Sequence, residues 1–237
     1  MYQGKTMLIT GAYRGIGRAI ATYFASLGVN IILTYHNNKT SELEKELKDK
    51  YHVSVESFSL DLSSEESINS LYKEIKNKYG KIDYLINNAS ISLDNSLFDK
   101  TKEEFIKVLE INIVGTFLMM QKFDSIVDGF IFNMSSTDGI DTGSIYSIDY
   151  NASKAGILAI TKTFSLESKN IVISICPNWV DTESTRSMDK SYLESELKRI
   201  KQDKLINVNT IPKVIDECIR NNILTGSIIR IEGDIDA

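Results

Sequence analysis

The chain has 237 residues, long for one domain and short for two, and its 42% hydrophobic and 25% charged residues allow a sizeable core. A net charge of −5 argues against a nucleic-acid duplex or an anionic membrane surface as partner, since both demand a basic field. No apolar run reaches the ~20 residues of a membrane span, the N-terminus lacks the regions of a signal peptide, and Cys176 and Cys218 stand far apart without ligand-like spacing; a cytoplasmic location with reduced core cysteines is expected.

Short β-rich runs alternate with helical patterns along the chain. Lys5–Thr10 has the pattern of a buried strand. A glycine-rich turn follows, then a helix with Ile16, Ile20, Tyr23, Phe24 and Leu27 on one face, ended by Gly28. Asn30–Tyr35 reads as a second strand, and Ser41–Lys48 as a solvated helix with a narrow Leu43/Leu47 stripe. Val53–Leu60 is a third strand, followed by a helix with Ile68, Leu71, Tyr72, Ile75 and Tyr79 at helical spacing. Ile82–Ile86 is a fourth, Thr101–Phe123 one long helix, Phe130–Met134 a fifth strand, Tyr150–Ser168 a helix and Ile171–Cys176 a sixth strand. A polar stretch over 181–209 breaks the rhythm before helix Pro212–Asn221 and strand Ser227–Ile231.

Parallel strands need crossover connections, so this alternation predicts an α/β fold: a Rossmann-like, doubly wound parallel seven-stranded sheet with helices on both faces. With no repeat and no linker composition, one catalytic domain over 1–237 is expected, with 181–209 as a partly helical lid or substrate loop. Ligands of such sheets bind beyond the strand carboxyl ends, where the strand order reverses.

Thr10-Gly11-Ala12-Tyr13-Arg14-Gly15-Ile16-Gly17 lies between the first strand and the first helix. Gly11 permits a tight turn off the strand, while Gly15 and Gly17 leave room for backbone amides to approach a pyrophosphate. Tyr150 and Lys154, four apart on a predicted helix, share one face. A free phenol titrates near ~10, too high for efficient acid–base work at neutral pH, and a neighbouring ammonium lowers that value, so the pair suits proton donation to a carbonyl. His36 and His52 are isolated and no metal site is expected.

The T-G-x-x-x-G-x-G spacing with Tyr150-Asn151-Ala152-Ser153-Lys154 resembles the compact branch of the short-chain dehydrogenase/reductase family, and the resemblance follows nearly the whole chain. It implies catalytic roles for Asn112, Ser136, Tyr150 and Lys154: Ser136 orients the substrate oxygen, Tyr150 protonates it, Lys154 lowers the tyrosine pKa and holds the nicotinamide ribose, and Asn112 joins a proton relay. Ser135 is the rival to Ser136, and the pattern ending at Gly139 favours Ser136. The cofactor residues implied are Gly11, Tyr13, Arg14, Gly15, Ile16, Gly17, Tyr35, Asp61, Leu62, Asn88, Ala89, Tyr150, Lys154, Pro177, Val180 and Thr182. A helix-capping or turn role for Asp61 is the competing reading.

Tyr35 stands where NAD-dependent members carry an acid, and Arg14 is placed to pair with a 2′-phosphate, so NADP(H) is favoured over NAD(H). Asn178 replaces a family glycine, Ile173 a usual asparagine, and Glu232-Gly233-Asp234 a glycine pair. Surplus apolar residues on the two long helices (Phe117, Met119, Met120, Ile157, Ile160) suggest burial against another subunit, and the resemblance implies a homodimer or homotetramer. The expected function is NADPH-dependent reduction of a small ketone or 3-oxoacyl thioester. The alternatives are a 3-oxoacyl-carrier-protein reductase and, in another class, a non-catalytic nucleotide-sensing regulator. Acids near the ends of the interface helices argue against docking of an acidic carrier.

Overall fold

The computed structural model describes residues 1–38 and 40–234. Seven strands form one parallel sheet: β1 (Thr6–Ile9), β2 (Asn30–Tyr35), β3 (Val55–Ser59), β4 (Ile82–Asn87), β5 (Val127–Met134), β6 (Ile171–Pro177) and β7 (Ile228–Ile231). Their spatial order is β3-β2-β1-β4-β5-β6-β7, so the direction of winding reverses between β1 and β4. The predicted doubly wound architecture is observed.

Alternation along the strands builds a core on each face. Met7, Ile9, Ile31 and Leu33 point to one layer, where they meet Ile20 and Phe24 of α1 (Gly15–Ser26) and Ile211 and Ile215 of α9 (Thr210–Arg220). Leu8, Ile32, Leu85 and Ile131 point to the other, against Ile68, Leu71 and Ile75 of α3 (Glu65–Tyr79). α2 (Ser41–Tyr51) contributes only the buried Leu43 and Leu47, as its narrow stripe predicts.

The helix expected over 101–123 is not continuous. α4 (Lys102–Leu109), started by a Thr101/Glu104 capping box, passes into a π-helical turn at Glu110–Gly115 and then α5 (Thr116–Phe123). The buried Asn112 binds outside the helix, and Gly115 packs so closely that a Cβ there would lie 2.7 Å from the Leu62 carbonyl oxygen. Those two tertiary demands replace the regular ladder with the wider turn.

α6 (Ile148–Phe164) ends four residues before the predicted Ser168. Of its apolar surplus Ile157 is buried within the chain, as are Met119 and Met120 of α5, so these residues serve the chain's own core; Phe117 is exposed, as are Ile106 and Val114.

The polar stretch contains α7 (Glu183–Arg186) and α8 (Lys190–Arg199). Its base is pinned where the Asp181 amide donates to the Ile206 carbonyl and the Ile206 amide to that of Trp179, each at 2.9 Å. Among the described residues no helix is long and apolar enough to cross a membrane.

Candidate active site

A cleft of about 450 Å³ opens over the carboxyl ends of β1, β4, β5 and β6, at the reversal of strand order. Gly11, Arg14, Gly15, Ile16, Asn88, Ala89, Pro177, Val180 and Thr182 line it together with Ser136, Tyr150 and Lys154. Tyr13, Gly17, Tyr35, Asp61, Leu62 and Asn112 do not.

At one end of the cleft the chain turns off β1. Gly11 has a φ of +66°, and a Cβ there would meet Ala89 at 2.9 Å. Gly17 works by packing rather than by facing the cleft: a Cβ would sit 2.6 Å from the Gly11 carbonyl oxygen and 2.7 Å from Asn88 Nδ2. Thr10, which the motif reading passed over, ties the two strand ends together, its hydroxyl accepting from the amides of Asn88 (2.9 Å) and Ala89 (3.0 Å).

The N-terminus of α1 has no side-chain cap of its own and no acid in its first turn. The Gly15 amide donates instead to Oε2 of Glu183, at 3.2 Å. A carboxylate oxygen there stands where a phosphate oxygen would accept the same bond, so the cradle fits a dinucleotide pyrophosphate by both shape and charge.

Asp61 turns its carboxylate to its own loop, Oδ1 accepting from the amide (2.9 Å) and hydroxyl (2.6 Å) of Ser63. That is the competing turn role, and those bonds hold its carboxyl below the usual range. Tyr35 is the last residue of β2, paired in register with Ser59.

At the other end α6 presents Tyr150 and Lys154, with Lys154 Nζ 5.1 Å from the Tyr150 ring centroid. Lys154 is buried and donates to the Met134 carbonyl at 2.8 Å. Ser135 and Ser136 follow β5 but differ in use. The Ser135 hydroxyl donates to the Lys154 carbonyl (2.8 Å), whereas the Ser136 hydroxyl accepts from the Asp138 amide (3.1 Å) and faces Tyr150. Gly139 lets this loop lie on α6, since a Cβ would fall 2.5 Å from the backbone carbon of Lys154.

The electrostatics depart from expectation. Burial raises the Tyr150 phenol above its usual value, and the charges of Asp138 and Asp94 push it further the same way. Burial also lowers the Lys154 ammonium to about 8. Within the chain, burial thus favours the protonated form of the tyrosine, while the Ser136 hydroxyl acts in the opposite direction.

Asn112 lies beneath the cleft, its amide fully committed. Oδ1 accepts from the Ile91 amide (2.9 Å), and Nδ2 donates to the Ile91 carbonyl (2.8 Å) and the Ser153 hydroxyl (3.0 Å). Ser153 in turn donates to the Tyr150 carbonyl at 2.8 Å. Its bonds run to Ile91 and Ser153, and so it ties the loop after β4 to α6.

Two further anchors carried no sequence signal. Asp149 is buried beside Lys100 at 3.0 Å and accepts from the Tyr150 amide at 2.9 Å. Asn87 donates to Asn133 (2.8 Å), which donates to Thr161 of α6 (2.9 Å). The departures from the family pattern also find places: Asn178 accepts from the Thr137 hydroxyl at 3.1 Å, and Ile173 is core.

The chain matches the short chain dehydrogenase family over residues 5–193 and belongs to it. It is thus an oxidoreductase that uses a nicotinamide dinucleotide on the C=O/CH–OH pair. Among curated relatives, the 3-oxoacyl-(acyl-carrier-protein) reductase FabG of Aquifex aeolicus is 31% identical, covering 98% of this chain and 97% of its own. The enzyme of the same name from Staphylococcus epidermidis is 30% identical, covering 97% and 98%. Among solved structures, a dehydrogenase/reductase from Sinorhizobium meliloti superposes with a TM-score of 0.90 at 24% identity, covering 99% and 96%. L-sorbose reductase from Gluconobacter frateurii, complexed with NADPH and L-sorbose, gives 0.87 at 20%, covering 98% and 97%. At these identities the two structures establish the fold.

Proposed function

We propose that the protein is a cytoplasmic NADPH-dependent reductase that converts a small ketone or 3-oxoacyl thioester to a secondary alcohol. The observation that carries this reading is the convergence of Ser136, Tyr150 and Lys154 on the cleft whose far end is the α1 cradle. A nucleotide-sensing regulator would have no use for that convergence.

Gly11, Gly15, Ile16, Asn88, Ala89, Pro177, Val180 and Thr182 would hold the dinucleotide, which supplies the hydride. Ser136 then donates a hydrogen bond to the carbonyl oxygen and fixes it beside Tyr150. Tyr150 protonates that oxygen, its phenol kept loaded with a proton by burial. Lys154 sits in reach of the tyrosine ring and the bound ribose. Asn112 acts as a positioning residue through Ser153. The 181–209 segment serves as the lid, since Ser184, Thr185, Met188 and Tyr192 form one wall of the cleft. Two buried free cysteines suit a reducing compartment, and exposed Ile106, Val114 and Phe117 suit a homo-oligomer.

NADPH is the favoured cofactor because Arg14 is exposed at the mouth of the cradle with no ion-pair partner among the described residues. NADPH should be used at least about tenfold better than NADH, as expected for a charge-assisted bidentate contact of about 1.5–3 kcal/mol. Arg14→Ala should erase most of that margin by raising the KM for NADPH. Equal use of both cofactors by the unaltered enzyme would refute the assignment.

A second reading, a reductase of carrier-bound 3-oxoacyl groups, is favoured by the names of the relatives. The lid weakens it. Arg186 is paired with Asp181 at 2.6 Å and Arg199 with Glu196 at 2.7 Å, leaving less basic charge to meet an acidic carrier. The acids beyond α5 are also engaged internally, Asp124 with Asn170 at 2.9 Å and Asp128 with Lys81 at 3.1 Å, so they oppose a carrier less than the sequence suggests. Comparing kcat/KM for a carrier-linked substrate and its short thioester at low and moderate salt separates the two. Little difference is expected, and a large salt-sensitive advantage for the carrier-linked form would establish the second reading.

A further inference from the structure

The substrate half of the cleft is acidic and hydroxyl-rich. Around Tyr150 stand Asp94, Asp138, Ser144, Ser147 and Tyr192, and the cations lining the whole cleft are Lys154 and, in the glycine turn, Arg14. This wall offers no anchor for a carboxylate or phosphate, while Ile91, Trp179 and Met188 supply the apolar part of the same cleft.

Asp138 is the unusual member. It lies two residues after Ser136, its carboxylate facing the Ser136 hydroxyl and accepting from Thr142 Oγ1 at 2.9 Å. Among the described residues no cation lies within ion-pair distance of it. Arg199, whose charge reaches it, spends its guanidinium on Glu196 (2.7 Å) and the Thr142 carbonyl (2.7 Å). The field of Asp138 also reaches the Tyr150 phenol.

Such a carboxylate is costly for plain ketone reduction. Hydride addition places negative charge on the carbonyl oxygen, which an adjacent anion opposes. It also competes with the substrate for the Ser136 hydroxyl. Both penalties fall if the substrate brings its own hydrogen-bond donor to the carboxylate.

We propose that Asp138 is a specificity-determining residue that accepts a hydrogen bond from a hydroxyl or ammonium group on the carbon next to the reacting carbonyl, so that the substrates are hydroxyketones and aminoketones rather than alkyl ketones. The inference rests on the reductase reading above. The reaction is ketone plus NADPH plus a proton giving vicinal hydroxy-alcohol or amino-alcohol plus NADP+. Hydride goes to the carbonyl carbon, the Tyr150 proton goes to its oxygen, and Asp138 exchanges nothing.

The test uses near-isosteric substrates with the intact enzyme: hydroxyacetone, aminoacetone and butanone, each with NADPH, and propane-1,2-diol against 2-butanol with NADP+. A site built around a substrate donor discriminates by about 10⁴–10⁵ when closed, and in this open cleft about 10²-fold in kcat/KM is expected in favour of hydroxyacetone over butanone. Asp138→Ala should bring that ratio to within about threefold, lowering hydroxyacetone turnover while raising that of butanone. Asp138→Asn, which keeps an acceptor oxygen, should retain part of the ratio and serves if the alanine variant misfolds. Aminoacetone ahead of hydroxyacetone would assign the donor as a cation, and the reverse order a neutral hydroxyl. Equal losses for all substrates would mean that Asp138 only braces its loop, which overturns the inference. Butanone reduced as well as hydroxyacetone by the unaltered enzyme overturns it too, while leaving the reductase reading intact. No turnover of any compound in either direction would also overturn the inference, and the reductase reading would fall with it only if a short 3-oxoacyl thioester were left unreduced as well.

Discussion

Tyr150→Phe is expected to lower kcat by about 10²–10⁴-fold, the usual contribution of a positioned general acid, while the Kd for NADPH stays within about threefold. The reasoning is spatial. The phenol stands at the α6 end of the cleft, whereas the amides that would meet the pyrophosphate belong to the β1–α1 turn. Deleting one oxygen from a part-buried ring leaves the packing of α6 in place. A direction dependence accompanies this. Because burial raises the phenol pKa, reduction has its proton in place across neutral pH, and oxidation of the alcohol, which needs the phenolate, should accelerate as pH rises. Steady-state rates in both directions, with a fluorescence titration of NADPH, test the claim. A variant within tenfold of the unaltered kcat would end Tyr150's candidacy as proton donor.

Much of the architecture is legible in the sequence because it rests on local rules. β2 is bounded at the predicted residues Asn30 and Tyr35, and the first strand, read as buried, does send Leu8 and Ile9 to opposite layers. The glycine turn is legible for the same reason: a positive φ at Gly11 leaves few alternatives. What escaped depends on tertiary partners. The π-helical turn at Glu110–Gly115 is imposed by Ile91 and Leu62, distant in sequence. Asp138 reads as an ordinary loop acid until the fold sets it beside Tyr150. The four-residue spacing places Lys154 beside Tyr150, but it carries no information about how deeply both groups lose water. Asp61 resembles a family cofactor contact by position, and the sequence does not show that one carboxylate oxygen also closes the turn at Ser63.

Lys154→Met is expected to stop turnover and, at neutral pH, to stabilise the cofactor-free protein. Burial lowers the ammonium to about 8, so at pH 7 folding carries a desolvated charge whose direct bond is one carbonyl, that of Met134. Replacing a buried ion pair or triad by apolar groups of similar volume is neutral or stabilising by about 1–4 kcal/mol, and relieving this single desolvated charge acts in the same direction, less about 1 kcal/mol for the lost hydrogen bond. The sign of the pH dependence follows from the lowered value. Between about pH 8 and the unfolded chain's ~10.4, the unfolded state keeps a proton that the folded state has released, so the native enzyme gains stability as pH rises through that window. Below about pH 8 the penalty is present in full. The methionine variant lacks this titration, and the tyrosines that burial holds protonated (Tyr2, Tyr23, Tyr79) affect both proteins alike. Urea unfolding of both proteins at pH 7 and pH 10 should therefore show the variant ahead by roughly 1–2 kcal/mol at the lower pH and level or behind at the higher. A variant destabilised by more than about 1 kcal/mol at pH 7 would instead make Lys154 a structural prop, its hydrogen bond to β5 outweighing the cost of its charge. The expected result is the opposite: a residue that the fold would be better without, kept beside Tyr150 for the chemistry.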